Sequence, residues 1–99
     1  RTNPEQLFAA GYAACFSSTL QHLAGKAGVD VTGLEVTATV GLAHEDGVSD
    51  LAVTLVASFP SSLDAGRTEE LMEAAHQMCP YSRATRGNVE VILQAAVLV

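Results

Sequence analysis

At 99 residues the chain is long enough for one domain and no more, and a body of that size buries only a modest core. Its 48% hydrophobic content is high for so small a fold, so part of that surface is expected to need a partner. Eleven acidic residues against five basic ones, a net charge of −6, argue against nucleic-acid binding, which relies on clustered Lys and Arg to neutralise phosphates.

No signal peptide or spanning run is visible, which points to a cytoplasmic protein that does not engage the membrane. Two cysteines in such a chain suggest redox chemistry more than a structural staple. The chain opens at Arg1 directly before a helix start, as a domain whose beginning is missing would.

The first element is a helix over Thr2 to Ala24. Thr2 or Asn3 can cap it, Pro4 suits the first helical position, and Glu5 stands where a capping-box acid would. Every residue from Leu7 to Phe16 is apolar or Gly. A helix apolar all round is normally buried, and this run is too short to cross a bilayer. Cys15 therefore reads as an interior or pocket-lining thiol, although an isolated free Cys commonly serves as a small buried hydrophobe. The helix ends near Gly25 to Gly28.

Two alternating runs follow. Leu34, Val36, Ala38, Val40 and Leu42 form one face of a strand, with Glu35, Thr37 and Thr39 on the other. His44 to Gly47 supplies a turn with Gly47 free to take positive φ, and a return strand over Val48 to Phe59 turns Leu51, Val53, Leu55 and Phe59 inward. Pro60 to Asp64 breaks the sheet, and Asp64 or Thr68 can cap a second helix. That helix carries Leu71, Ala75 and Met78 on its apolar side, with Arg67, Glu69, Glu70 and Glu73 in water. Cys79 falls at its end, where Pro80 stops easy continuation. A short turn or helix over Ser82 to Arg86 leads through Gly87 into a last strand, Val89 to Val99. The order is αββαβ in one domain over 1–99.

Two stretches of this chain carry a specific resemblance: Asn3 to Phe16, reading NPEQLFAAGYAACF, and Cys79 to Asn88, reading CPYSRATRGN. They are similar to the motifs of the organic hydroperoxide resistance (Ohr) proteins, bacterial thiol peroxidases of the Ohr/OsmC superfamily. The OsmC branch departs from this sequence in both stretches. The resemblance implies an α+β, OsmC/Ohr-like fold in which an antiparallel sheet packs on a buried central helix in an intertwined homodimer, with strands preceding the first helix that this chain lacks. It also implies a function, the reduction of alkyl and fatty-acid hydroperoxides. Cys15 is then the peroxidatic residue and Cys79 the resolving one, joined in a disulfide that an external dithiol reduces. The family points to dihydrolipoamide or a lipoylated protein as that dithiol, and no bound cofactor or metal is implied.

Such chemistry needs a thiolate, which an apolar mid-helix site disfavours. The cations here are Arg1, Lys26, Arg67, Arg83 and Arg86, and none stands at helical spacing to face Cys15. The resemblance implies an activating Arg well upstream of the first motif, oriented by Glu5. Ten helical residues separate Glu5 from Cys15, a rise of roughly 15 Å, so Glu5 would serve a Cys15 site from another copy of the chain. Leu7, Phe8, Tyr12, Phe16, Met78 and Tyr81 flank the thiols in sequence and could wall an apolar substrate pocket, or be plain core. Two readings of other classes stay open: a metal site built from Cys15, His22, His76 and Cys79, and a noncatalytic dimerisation or small-ligand module in which Cys15 only packs.

Overall fold

The structure, a computed structural model, describes residues 3–98. Thr2 as a cap, Arg1, and the last residue of the expected final strand, Val99, lie outside the described residues.

Helix α1 spans Pro4–Ala27. Asn3 is its cap: the Asn3 side chain accepts from the Gln6 backbone N–H at 2.8 Å, and the Asn3 N–H donates to Gln6 Oε1 at 3.2 Å. With Asn3 as cap, the reciprocal partner three residues on is Gln6 and not Glu5, which instead occupies the first turn, where the helix dipole favours a negative charge. The far end runs three residues beyond Ala24. Gly28 turns left-handed at φ 71°, its N–H reaches the Gly25 carbonyl, and the Val29 N–H reaches Ala24 at 2.8 Å, a Schellman closure.

Strands β1 (Glu35–Glu45) and β2 (Val48–Phe59) form the expected antiparallel hairpin, with Glu45 opposite Val48. Its loop is Asp46-Gly47, and both residues have positive φ, 51° and 76°. That is the two-residue turn whose twist matches the flanking strands, so Asp46 shares the left-handed geometry expected of Gly47 alone. Helix α2 (Ala65–Met78) starts at Asp64, whose side chain accepts from the Arg67 N–H at 2.8 Å. Thr68, the other candidate cap, is buried inside the first turn and donates to the Ala65 carbonyl. A short helix α3 covers Pro80–Thr85, and strand β3 covers Glu90–Val97.

The sheet order is β1-β2-β3, and β3 runs parallel to β2, pairing Val53 with Val91 and Phe59 with Val97. The sheet is thus mixed rather than wholly antiparallel. The expectation missed this because strand direction depends on how α2 and α3 carry the chain back, not on the alternation within the strand. Both helices lie on one side: α1 over β1, α2 beside it over β3. Val53, Leu55, Ala57 and Phe59 point into that layer and meet Tyr12, Phe16, Leu20, Leu71, Met72 and Ala75 in one buried cluster. The overall thickness of 19 Å is that of a single helix layer on a single sheet.

Helix α1 is not buried all round. Its core stripe is Tyr12, Phe16, Leu20 and Ala24, at a spacing of four, while Leu7 on another side is 65% exposed and Ala10 and Ala14 face outward. One sheet can cover only one side of a helix, so the remaining apolar surface of α1 stays open in the single chain. The opposite face of the sheet, with Thr37, Thr39, Ile92 and Gln94 exposed, is also uncovered by the described residues.

Candidate active site

Cys15 immediately precedes Phe16, so its side chain points about 100° round the helix from the core stripe. That places it at the border of α1 where α3 arrives, half-buried. Cys79 is fully buried at the break between α2 and α3, with φ −59° and ψ 125°. Its N–H still closes α2 on the Ala75 carbonyl at 2.7 Å, while Pro80 begins α3 without an N–H to offer. The two sulfurs, 64 residues apart in sequence, stand 3.3 Å apart as free thiols, with the Cys79 S–H directed at the Cys15 sulfur.

Burial pushes the Cys15 thiol above its ordinary value, and the adjacent Cys79 sulfur pushes the same way. The Tyr81 backbone N–H, in the first turn of α3, donates toward Cys15 and pulls part of that rise back. Among the described residues no cation acts on Cys15. Arg86 instead reaches back to the His76 carbonyl at 2.8 Å, tying the end of α3 to the end of α2.

A second set of contacts binds α3 to α1. Tyr12 Oη lies 2.6 Å from Ser82 Oγ and 3.5 Å from Thr85 Oγ1, all three residues buried. The rings of Phe8, Tyr12 and Tyr81 form a cluster with centroids 5.8 to 6.2 Å apart. Gly11 makes room for it: a Cβ there would stand 3.2 Å from the Tyr81 hydroxyl oxygen.

Beside Cys15 opens a cavity of about 400 Å³, lined by Cys15, Ser18, Thr19, His22, Met78 and Pro80. Of the six residues expected to wall a pocket, Met78 does so, 49% exposed and not on the inner side of α2 as its spacing had implied. Tyr12 and Phe16 do not; they are fully buried on the core stripe, because neighbours in sequence diverge round a helix. Phe8 and Tyr81 stack on each other and do not line this cavity, and Leu7 faces outward. The other lining residues on α1, Ser18, Thr19 and His22, follow Cys15 at three, four and seven positions; of these the sequence singles out only His22, as a metal-ligand candidate and not as pocket wall. That ridge was the available signal.

Glu5 stays in the first turn of α1, in keeping with the helical rise that separates it from Cys15. No group of three or more His, Cys, Asp or Glu able to hold a metal occurs among the described residues, so Cys15, His22, His76 and Cys79 are not assembled as ligands. Among the same residues no helix is long and apolar enough to cross a membrane.

Residues 1–94 match the family model described as OsmC-like protein. The organic hydroperoxide resistance protein OhrB of Bacillus subtilis is 48% identical over 95 residues, which span 94% of this chain and 68% of that protein. This chain belongs to the OsmC-like family, in its organic hydroperoxide resistance (Ohr) branch. The Ohr protein of Xanthomonas axonopodis pv. citri is similar at 42% identity over 96% of this chain and 67% of its own length. A crystal structure of the Ohr protein from Elizabethkingia anophelis superposes with a TM-score of 0.91 at 45% identity, covering 98% of this chain and 69% of that one. The α+β architecture is thus an Ohr/OsmC fold, and the cysteine pair sits at the meeting of its α1 and α2–α3 segments.

Proposed function

We propose that this Ohr-family chain is a cysteine-based peroxidase that reduces organic hydroperoxides to alcohols. The observation that carries the reading is the pair of free thiols 3.3 Å apart, one buried and one opening on a cavity. The cavity borders on Met78 and Pro80, surfaces suited to an alkyl chain more than to hydrogen peroxide. The Cys15 thiolate attacks a peroxide oxygen; the O–O bond breaks, an S–O bond forms, and the departing alkoxide takes a proton to become the alcohol. The Cys79 thiol then displaces hydroxide from the Cys15 sulfenic acid, giving a disulfide and, with the thiol proton, water. A dithiol restores both thiols by exchange, and lipoyl groups are the reductant the family resemblance implies. The relatives' names, which speak of resistance to organic hydroperoxides, support the substrate class.

The active form is a homodimer. Its support is the outward apolar side of α1 around Leu7, Ala10 and Ala14, together with the distance of Glu5 from the Cys15 of its own chain. In this reading Glu5 assists the site of the second copy. The test is to count free thiols before and after one equivalent of cumene hydroperoxide. Loss of both is expected in the wild type. In Cys79→Ser a single turnover should persist and leave oxidised Cys15 trapped, whereas Cys15→Ser should be inert. Fast peroxide consumption by Cys15→Ser would overturn the assignment.

A further inference from the structure

The buried hydroxyl contact between Tyr12 and Ser82 has no part in the peroxide chemistry, yet it sits one helical turn from the thiols on both sides. Tyr12 precedes Cys15 by three residues on α1, and Ser82 follows Cys79 by three across the first turn of α3. Residues three apart on a helix are neighbours on its surface. The start of α3 is therefore joined to α1 by three polar contacts: oxygen to oxygen at 2.6 Å, sulfur to sulfur at 3.3 Å, and the Tyr81 N–H donating toward Cys15.

We propose that the Tyr12–Ser82 contact is a clasp that positions the thiol pair, holding the start of α3 against α1 so that Cys79 stays within bonding reach of oxidised Cys15. Its purpose rests on the peroxidase reading above, whereas its geometry does not. Cys79 occupies a non-helical break, and Pro80 supplies no N–H to continue α2, so the hydrogen-bond ladder of α2 does not set where α3 goes, and the Tyr81 N–H toward Cys15 is a single backbone tie to α1. Packing of Phe8, Tyr12 and Tyr81 brings the segment near α1, but ring contacts tolerate sliding. A hydroxyl pair with both residues fully buried does not, because separating the partners leaves polar groups unpaired away from water. Thr85 reinforces the same end: its Oγ1 donates to the Ser82 carbonyl at 3.1 Å and lies 3.5 Å from Tyr12 Oη.

A disulfide requires the sulfurs to close from 3.3 Å to about 2.05 Å. With Ser82 anchored, that closure is a small tilt of the first turn of α3 about the clasp. The net reaction joins the Cys15 sulfenic acid and the Cys79 thiol into one S–S bond and releases water. Without the clasp, the same step begins from a broader range of sulfur separations and slows, while Cys15 remains a sulfenic acid exposed to a second peroxide.

The test compares the wild type, Tyr12→Phe, Ser82→Ala and the double variant in two measurements. The first is the effective concentration of the thiol pair, from disulfide exchange with glutathione, which involves no peroxide. The second is the fraction of Cys15 found by mass spectrometry as sulfinic acid after a fixed excess of cumene hydroperoxide. Each single variant should lower the effective concentration by about tenfold, the scale of one well-made hydrogen bond, and raise the sulfinic fraction. The double variant leaves no orphaned hydroxyl between the two positions and should regain melting temperature while keeping both defects. Unchanged effective concentration in the single variants overturns the proposal, and so does its recovery in the double variant, which would mark the contact as structural only. A wild type that consumes no hydroperoxide, with an effective concentration that still falls in the variants, would overturn the peroxidase reading and leave the clasp standing.

Discussion

Replacing Gly11 by Ala should leave the stability of the fold nearly unchanged while slowing the chemistry of Cys15. An Ala in a helix interior is favoured over Gly by roughly 0.5–1 kcal/mol. Against that gain, the new Cβ would lie 3.2 Å from the Tyr81 hydroxyl oxygen and 3.3 Å from Cε2, a few tenths of an ångström inside ordinary contact. Tyr81 is 40% exposed and can retreat, at the expense of its packing on Phe8 and Tyr12, an aromatic contribution of about 0.5–1.5 kcal/mol. The two effects nearly cancel, so the melting temperature should move by no more than about 5 °C. The chemistry has no such compensation. The Tyr81 N–H is the group that pulls the Cys15 thiol back down, and a displaced Tyr81 weakens that donor while burial keeps pushing upward. Alkylation of Cys15 by iodoacetamide, followed across pH in a Cys79→Ser background, should shift toward higher pH. A profile that stays in place would refute the link between the ring and the donor. A loss of more than about 2 kcal/mol would show instead that Tyr81 cannot yield.

In the otherwise unaltered protein, oxidation of Cys15 should climb about tenfold per pH unit through neutrality and keep rising past the range of a free thiol, since its proton is held more tightly in the fold. By the same linkage the folded state favours the protonated thiol, so this residue's contribution to stability is present below the unfolded pKa and lost as pH rises through the folded one, which urea titrations at neutral and alkaline pH would detect. Light scattering at micromolar concentration should give a dimer; a monomer there would remove the second copy from the account of Glu5.

Local chemistry was the legible part of this chain. Asn3-Pro4 and Asp64 each announce a helix start through a side chain that caps the backbone three residues on, and Gly47 announces a turn through its freedom to take positive φ; all three do so in the structure. The hairpin followed from strict alternation. What escaped was whatever depends on angle or on distant pairing. Tyr12 and Phe16 flank Cys15 in sequence, which leaves pocket wall and plain core equally open, and only the angle round the helix decides for the core. Ser82 and Thr85 stand in the second motif with no role legible from sequence, since nothing local says that a tyrosine 70 residues before Ser82 will meet it. The nearness of Cys15 and Cys79 was expected only through the resemblance, as spacing cannot reveal it.

The parallel pairing of β3 also fixes when, in the life of a newly made chain, the thiols meet. The β1–β2 hairpin closes locally and can form within microseconds, but β3 reaches β2 only after the crossover carrying α2 and α3 has swung back over the sheet. Cys79 rides on that crossover. During synthesis Cys15 leaves the ribosome 64 residues ahead of Cys79, so it waits without its partner until the crossover has emerged. Any oxidant met in that interval finds a lone cysteine, and the resulting sulfenic acid has only foreign thiols with which to condense.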